Sequence, residues 1–294
     1  MGNATKQPKN RYANAPKNDD FTIDQRWESY STEEHDRWNR LFARQSKVLP
    51  GRACEAFLAA LDKLQLSDRG IPDMELLSDR LEKFTGWRIV PVSDIVPDNV
   101  FFDHLANRRF PAGAFIRPES EFDYLQEPDI FHDIFGHVPM LAQPVVAAFM
   151  EAYGKGGQRA MRQDQLHNLA RLYWYTVEFG LIDTKDGLRI YGAGILSSPQ
   201  ESVFCLEDPS PNRIRLDLER VMQTRYIIDD FQQSYFVIDS FEKLLEDCYQ
   251  DFGALYQHVA DQPDIEAHEV LPRDMAIHRG TRAYFDKKGR AAAG

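Results

Sequence analysis

Between Glu127 and Leu141 the chain reads Glu-Pro-Asp-Ile-Phe-His-Asp-Ile-Phe-Gly-His-Val-Pro-Met-Leu, two histidines and three carboxylates set among apolar side chains. Polar groups in such company need partners, and a metal ion is one that satisfies several at once. The spacing constrains the backbone. On an α-helix five residues sweep about 500°, so His132 and His137 would point roughly 140° apart. An unbroken helix could not close both on one ion. Gly136 offers a way out, because glycine tolerates the left-handed conformation that ends a helix, and Pro139 would keep the helix from resuming.

Two imidazoles leave such a site unfinished. Downstream, Leu166, Leu169, Ala170, Tyr173, Trp174 and Val177 recur at helical spacing within Asp164 to Phe179, and Gly180 stands as a C-terminal stop. Glu178 falls in the last turn between apolar Val177 and Phe179, where an unpaired carboxylate would be costly. Two neutral imidazoles and one carboxylate with open positions form the arrangement of non-haem iron oxygenases. The same ligands around zinc would suit a hydrolase, although no glutamate adjoins the first histidine as zincins require. A purely structural metal would call for a fourth ligand.

The rest of the sequence narrows the class. At 294 residues and 43% hydrophobic content one large domain is expected. A net charge of -11 argues against nucleic-acid or anionic-membrane partners and for small molecules. Cys54, Cys205 and Cys248 are odd in number and widely spaced, which fits a reducing compartment, and the polar stretch Met1 to Asp20 has no apolar run to act as a signal, so a cytoplasmic protein is expected. Residues 1–20 are read as a flexible tail, 21–277 as the functional domain and 278–294 as a C-terminal tail without a heptad pattern, hence a monomer.

Within the domain, Ser31 and Glu34 form a capping box for a helix ending near Pro50, a second helix follows from Phe57 to Leu64, and a third carries the stripe Leu76, Leu77, Leu81 and Phe84 up to Gly86. Trp87 to Val92 and Gly113 to Arg117 read as strands joined by a loop from Asp94 to Phe110. Pro144 to Tyr153 reads as a helix closed by Gly154, Gly156 and Gly157, Leu188 to Tyr191 as a strand, and Ser240 to Tyr256 as a helix after the strand Tyr235 to Ile238.

Three segments in order, the histidine stretch up to Pro139, Trp174 to Gly180 and Tyr191 to Ser198, resemble the tetrahydropterin-dependent aromatic amino acid hydroxylases, and the similarity runs from about Phe21 to about Ile277. The resemblance implies a mainly α-helical single domain, a helical basket with small peripheral strands around a mononuclear iron. It implies Fe(II) on His132, His137 and Glu178, with a tetrahydropterin and molecular oxygen as co-substrates. The implied substrate is L-phenylalanine, as in the short bacterial members, with tyrosine or tryptophan as alternatives. Arg117 would hold the substrate carboxylate, with Asp129 aligning its guanidinium. Leu125, Pro128, Trp174, Phe179 and Gly194 would surround the substrate. Ser197 would bond a ligating imidazole. Val96, Phe101 and Asp133 would meet the pterin, Asp133 standing where many longer relatives have Glu. Val237 matches a position where tyrosine hydroxylases carry Asp, so it is expected to favour phenylalanine.

Overall fold

The capping box at Ser31 opens α1 (Thr32–Val48): the serine hydroxyl accepts from the Glu34 N–H while the Glu34 carboxylate accepts from the Ser31 N–H. Trp38 and Phe42 on α1 and Phe57 on α2 (Glu55–Lys63) then meet Phe131 and Phe135 edge-on, at ring-centroid distances of 5.3, 5.3 and 5.6 Å. The histidine stretch is thereby anchored by its own phenylalanines. The structure, a computed structural model, describes residues 10–123, 125, 127–249, 252–260 and 262–292. Its third helix, α3 (Met74–Thr85), ends at Gly86 with φ 73°, as the glycine suggests. The buried face is Met74, Leu77, Ser78 and Leu81, whereas Leu76 and Phe84 of the expected stripe are exposed.

The strand pair differs from expectation. β1 (Arg88–Val92) pairs in parallel with β2 (Arg109–Gly113), four residues earlier than the strand expected at Gly113 to Arg117. Parallel strands need a crossover, and it is supplied by α4 (Asp98–Ala106), where a loop was expected. α4 explains the glycines downstream. α6 (Pro144–Arg162) runs straight through Gly154, Gly156 and Gly157 instead of ending there. A Cβ on Gly154 would lie 2.4 Å from the Ala106 nitrogen, and one on Gly157 1.9 Å from the Phe102 ring. Those glycines let two helices touch rather than stop one.

In the C-terminal half, β3 (Leu181–Thr184), β4 (Gly187–Ile190), β5 (Asn212–Arg215), β6 (Ser234–Ile238) and β7 (Ala276–His278) form a sheet in the order β4-β3-β6-β5-β7. All five residues of β6 are buried. Instead of one helix over Ser240 to Tyr256 there are α11 (Phe241–Asp247) and α12 (Phe252–Ala260). No single helix among the described residues is long and apolar enough to cross a membrane.

Both tail boundaries move outward. Tyr12 is completely buried and its hydroxyl donates to the Gln25 carbonyl, so packing begins by residue 10, while residues 1–9 lie outside the described residues. After β7 comes α13 (Ala283–Ala292), whose Tyr284 packs on Phe204 and Phe231 and donates to Asp230. Sequence polarity hides these contacts because a few aromatics carry all the burial.

Candidate metal centre

The backbone answer to the histidine spacing is a π-helix over Phe131–His137. Hydrogen bonding from i to i+5 widens the turn and brings residues five apart onto one face. The helix does not end at Gly136: it continues into α5 (Val138–Leu141), which contains Pro139. Gly136 is needed for packing instead, since a Cβ there would lie 2.8 Å from the carbonyl oxygen of Ala193 on α8 (Ala193–Leu196). A second π turn, Trp174–Glu178, follows α7 (Leu166–Tyr173) and delivers Glu178 opposite the histidines.

The Nε2 atoms of His132 and His137 lie 3.2 Å apart, and the Glu178 carboxylate is 3.1 Å from His137 Nε2 and 3.6 Å from His132 Nε2. All three ligating atoms fall within 4.8 Å of one another. The surroundings prepare them for a cation. Ser197 Oγ is 2.8 Å from the Ala193 carbonyl, to which it can only donate, so it accepts from Nδ1 of His132 at 2.9 Å. That fixes the proton on Nδ1 and leaves the Nε2 lone pair facing the cluster. Burial pushes His132 down to about 4, which keeps it neutral. Burial alone would raise Glu178, but His137, His132 and the Gly194 N–H hold it below the ordinary carboxylate range. His137 is shifted upward, burial being outweighed by Glu178. The proton favoured along that contact is one a divalent cation would displace. Two imidazoles and a carboxylate grouped in this way fit a metal that keeps open coordination positions.

Two cavities meet at this cluster, sharing Glu127, Pro128, His132 and Glu178. The larger, about 430 Å³, is lined by Arg117, Leu125, Trp174, Phe179, Gly194 and Ser197 among others. Arg117 is buried, and its Nε and Nη2 each donate to Asp129 at 2.8 Å, the Arg117 backbone N–H adding a third bond at 2.9 Å. Asp129 also accepts from the His132 N–H at 3.0 Å, so one carboxylate ties the guanidinium to the metal-facing turn. The other cavity, about 300 Å³, is lined by Val96, Phe101 and Asp133 together with His137. Asp133 accepts from the Gly113 N–H at 2.7 Å, and burial pushes its carboxyl up to about 7.

Val237 is the exception. It lies in β6 opposite Leu181 and Arg215 of the neighbouring strands, 1% exposed, and is not among the residues lining either cavity. As part of the central strand it packs in the sheet. Sequence reasoning in turn missed Gln232, whose side-chain oxygen accepts from Trp174 Nε1 at 2.9 Å, and Tyr226, stacked on Trp174 at 4.3 Å. It also missed Glu201 and Tyr284 in the wall of the larger cavity. No local spacing marks these residues: Glu201 lies on the helix Pro199–Glu207, Tyr226 and Gln232 in the segment leading into β6, and Tyr284 on α13, each far along the chain from the histidines.

The family model for biopterin-dependent aromatic amino acid hydroxylase matches residues 19–270. A phenylalanine-4-hydroxylase of Caulobacter vibrioides is 60% identical over 93% of this chain and 93% of its own length. One from Chromobacterium violaceum is 53% identical over 90% of this chain and 89% of its own. Among solved structures, phenylalanine hydroxylase from Chromobacterium violaceum bound to cobalt superposes with a TM-score of 0.88 at 52% identity, covering 89% of this chain and 95% of that one. The chain belongs to the biopterin-dependent aromatic amino acid hydroxylases.

Proposed function

We propose that this protein hydroxylates L-phenylalanine to L-tyrosine, using molecular oxygen and a tetrahydropterin at a non-haem Fe(II) held by His132, His137 and Glu178. The observation that carries the reading is the convergence of two chemically different cavities on one His/His/Glu cluster. Its relatives named phenylalanine-4-hydroxylase support the substrate.

The larger cavity takes the amino acid. Asp129 engages Nε and Nη2 of Arg117, and Nη1 is the edge left to meet the substrate carboxylate by a charge-assisted bond. Trp174, Phe179 and Pro128 then wall the ring beside the metal. Gln232 holds the Trp174 indole in place through its Nε1–H. The smaller cavity takes the pterin, with Phe101 against its ring and Asp133 oriented by the Gly113 N–H. An Fe(II) held by His132, His137 and Glu178 would supply, with the pterin as two-electron reductant, the dioxygen chemistry that puts one oxygen atom on the substrate ring and the other on the pterin. The protein's part is positional and electrostatic: it holds ring and pterin on two sides of one cation and keeps His132 in the ligating tautomer.

The net charge of -11 and three free cysteines support a cytoplasmic enzyme of small molecules rather than one of nucleic acid or membrane. Because α13 packs through Tyr284 on its own chain, we read it as a monomer. The test is reconstitution with Fe(II) under argon, then assay with tetrahydropterin, oxygen and each aromatic amino acid. Tyrosine should form from phenylalanine only when all components are present; no tyrosine from the fully loaded protein would contradict the reading.

A further inference from the structure

A third cavity touches the metal cluster from behind. Of about 30 Å³, it is lined by Met140, Val146, Phe149, Met150, Val177 and Leu244, among others, and reaches His137. Phe110 and His137 line both this cavity and the pterin cavity, their rings 5.1 Å apart, so the two spaces are separated by that pair. The lining is nearly all hydrocarbon and thioether. Tyr191 also lines it, and its hydroxyl is buried without a hydrogen-bond partner among the described residues. A water would need two to four polar partners to settle there, whereas dry apolar cavities accept xenon and similar apolar guests.

We infer that this cavity is a docking site for dioxygen on its way to the metal. The inference rests on the hydroxylase reading, which requires three co-substrates. Phenylalanine and a tetrahydropterin are polar molecules that need the cavities of about 430 and 300 Å³. Neither fits a space of about 30 Å³. Dioxygen, small, uncharged and without hydrogen-bonding need, does. Apolar lining concentrates such a gas relative to water, because its transfer out of water is favourable. From such a reservoir at His137 the gas has only the Phe110–His137 pair to pass to reach the pterin cavity and the cluster.

Xenon is the probe, since it reports occupancy without turnover. Crystals of the full chain under xenon pressure should show one atom between Met150, Val177 and Leu244, and xenon NMR should show saturable binding. Leu244→Phe and the milder Val177→Ile, each verified as folded by circular dichroism, should lose xenon and raise KM for oxygen several-fold, leaving KM for phenylalanine and pterin unchanged. Absence of xenon from the wild-type cavity overturns the inference, whatever the hydroxylation assay gives. So does a variant that excludes xenon yet keeps its KM for oxygen. Xenon in the cavity of a protein that makes no tyrosine from phenylalanine would overturn the hydroxylase reading and, with it, dioxygen as the occupant.

Discussion

Replacing Ser197 by alanine isolates the preparation of a metal ligand from the ligand itself. The serine proton is committed to the Ala193 carbonyl at 2.8 Å, so the hydroxyl acts toward His132 Nδ1, at 2.9 Å, as an acceptor. In Ser197→Ala that acceptor is gone. The imidazole then either keeps Nδ1–H unsatisfied or moves the proton to Nε2, where it blocks the cation. Loss of such an outer partner lowers metal affinity by about 10- to 100-fold, equivalent to about 1.4–2.7 kcal/mol. Competition of the variant with a chelator for Fe(II) measures this directly. Ser197→Thr keeps the hydroxyl and should restore most of the affinity. If the alanine variant binds Fe(II) as tightly as the parent, the hydroxyl does not set the tautomer and the reasoning fails.

Arg117→Lys should raise KM for phenylalanine far more than KM for pterin, because an ammonium cannot keep both the Asp129 bonds and a carboxylate grip; steady-state kinetics against each substrate checks it. Burial raises Glu201 to about 7 from an ordinary 4.5, so its contribution to stability is present below about 4.5 and is lost as pH rises through about 7. Glu201→Gln should therefore flatten that part of the Tm-against-pH curve while keeping an acceptor for the Tyr235 hydroxyl. Gly154→Ala should cost about 1–3 kcal/mol in denaturant unfolding, since its Cβ would press on the α4 backbone. Val237→Ala should lower stability on the order of 1–3 kcal/mol without changing the preference for phenylalanine over tyrosine, as competition assays would report.

The chain's metal-facing residues were legible because their types and order carry the chemistry, yet the backbone that unites them was not. Angular arithmetic showed that an α-helix would separate His132 from His137, and the remedy it suggested was a break at Gly136. The protein instead widens the helix and uses Gly136 to admit Ala193. A π turn leaves no sequence mark that an α-helix lacks. The same confusion of roles occurs at Gly154 and Gly157, where a missing side chain signals contact between helices rather than a stop. Helices with capping boxes or a terminal glycine, such as α1 and α3, were readable because their signals are local. Where Val237 stands relative to the site depends on pairing with β3 and β5, which only the folded sheet determines.

The most direct measurement is iron stoichiometry and tyrosine formation in parallel for the parent, His132→Ala, His137→Ala and Glu178→Ala, each loaded with Fe(II) without oxygen and desalted. The parent should retain one iron per chain and make tyrosine when phenylalanine, tetrahydropterin and oxygen are added. Each variant should keep its helical circular dichroism and lose both iron and product. Stoichiometric iron with near-parental tyrosine formation in any one of the three would remove that residue from the metal site and contradict the account.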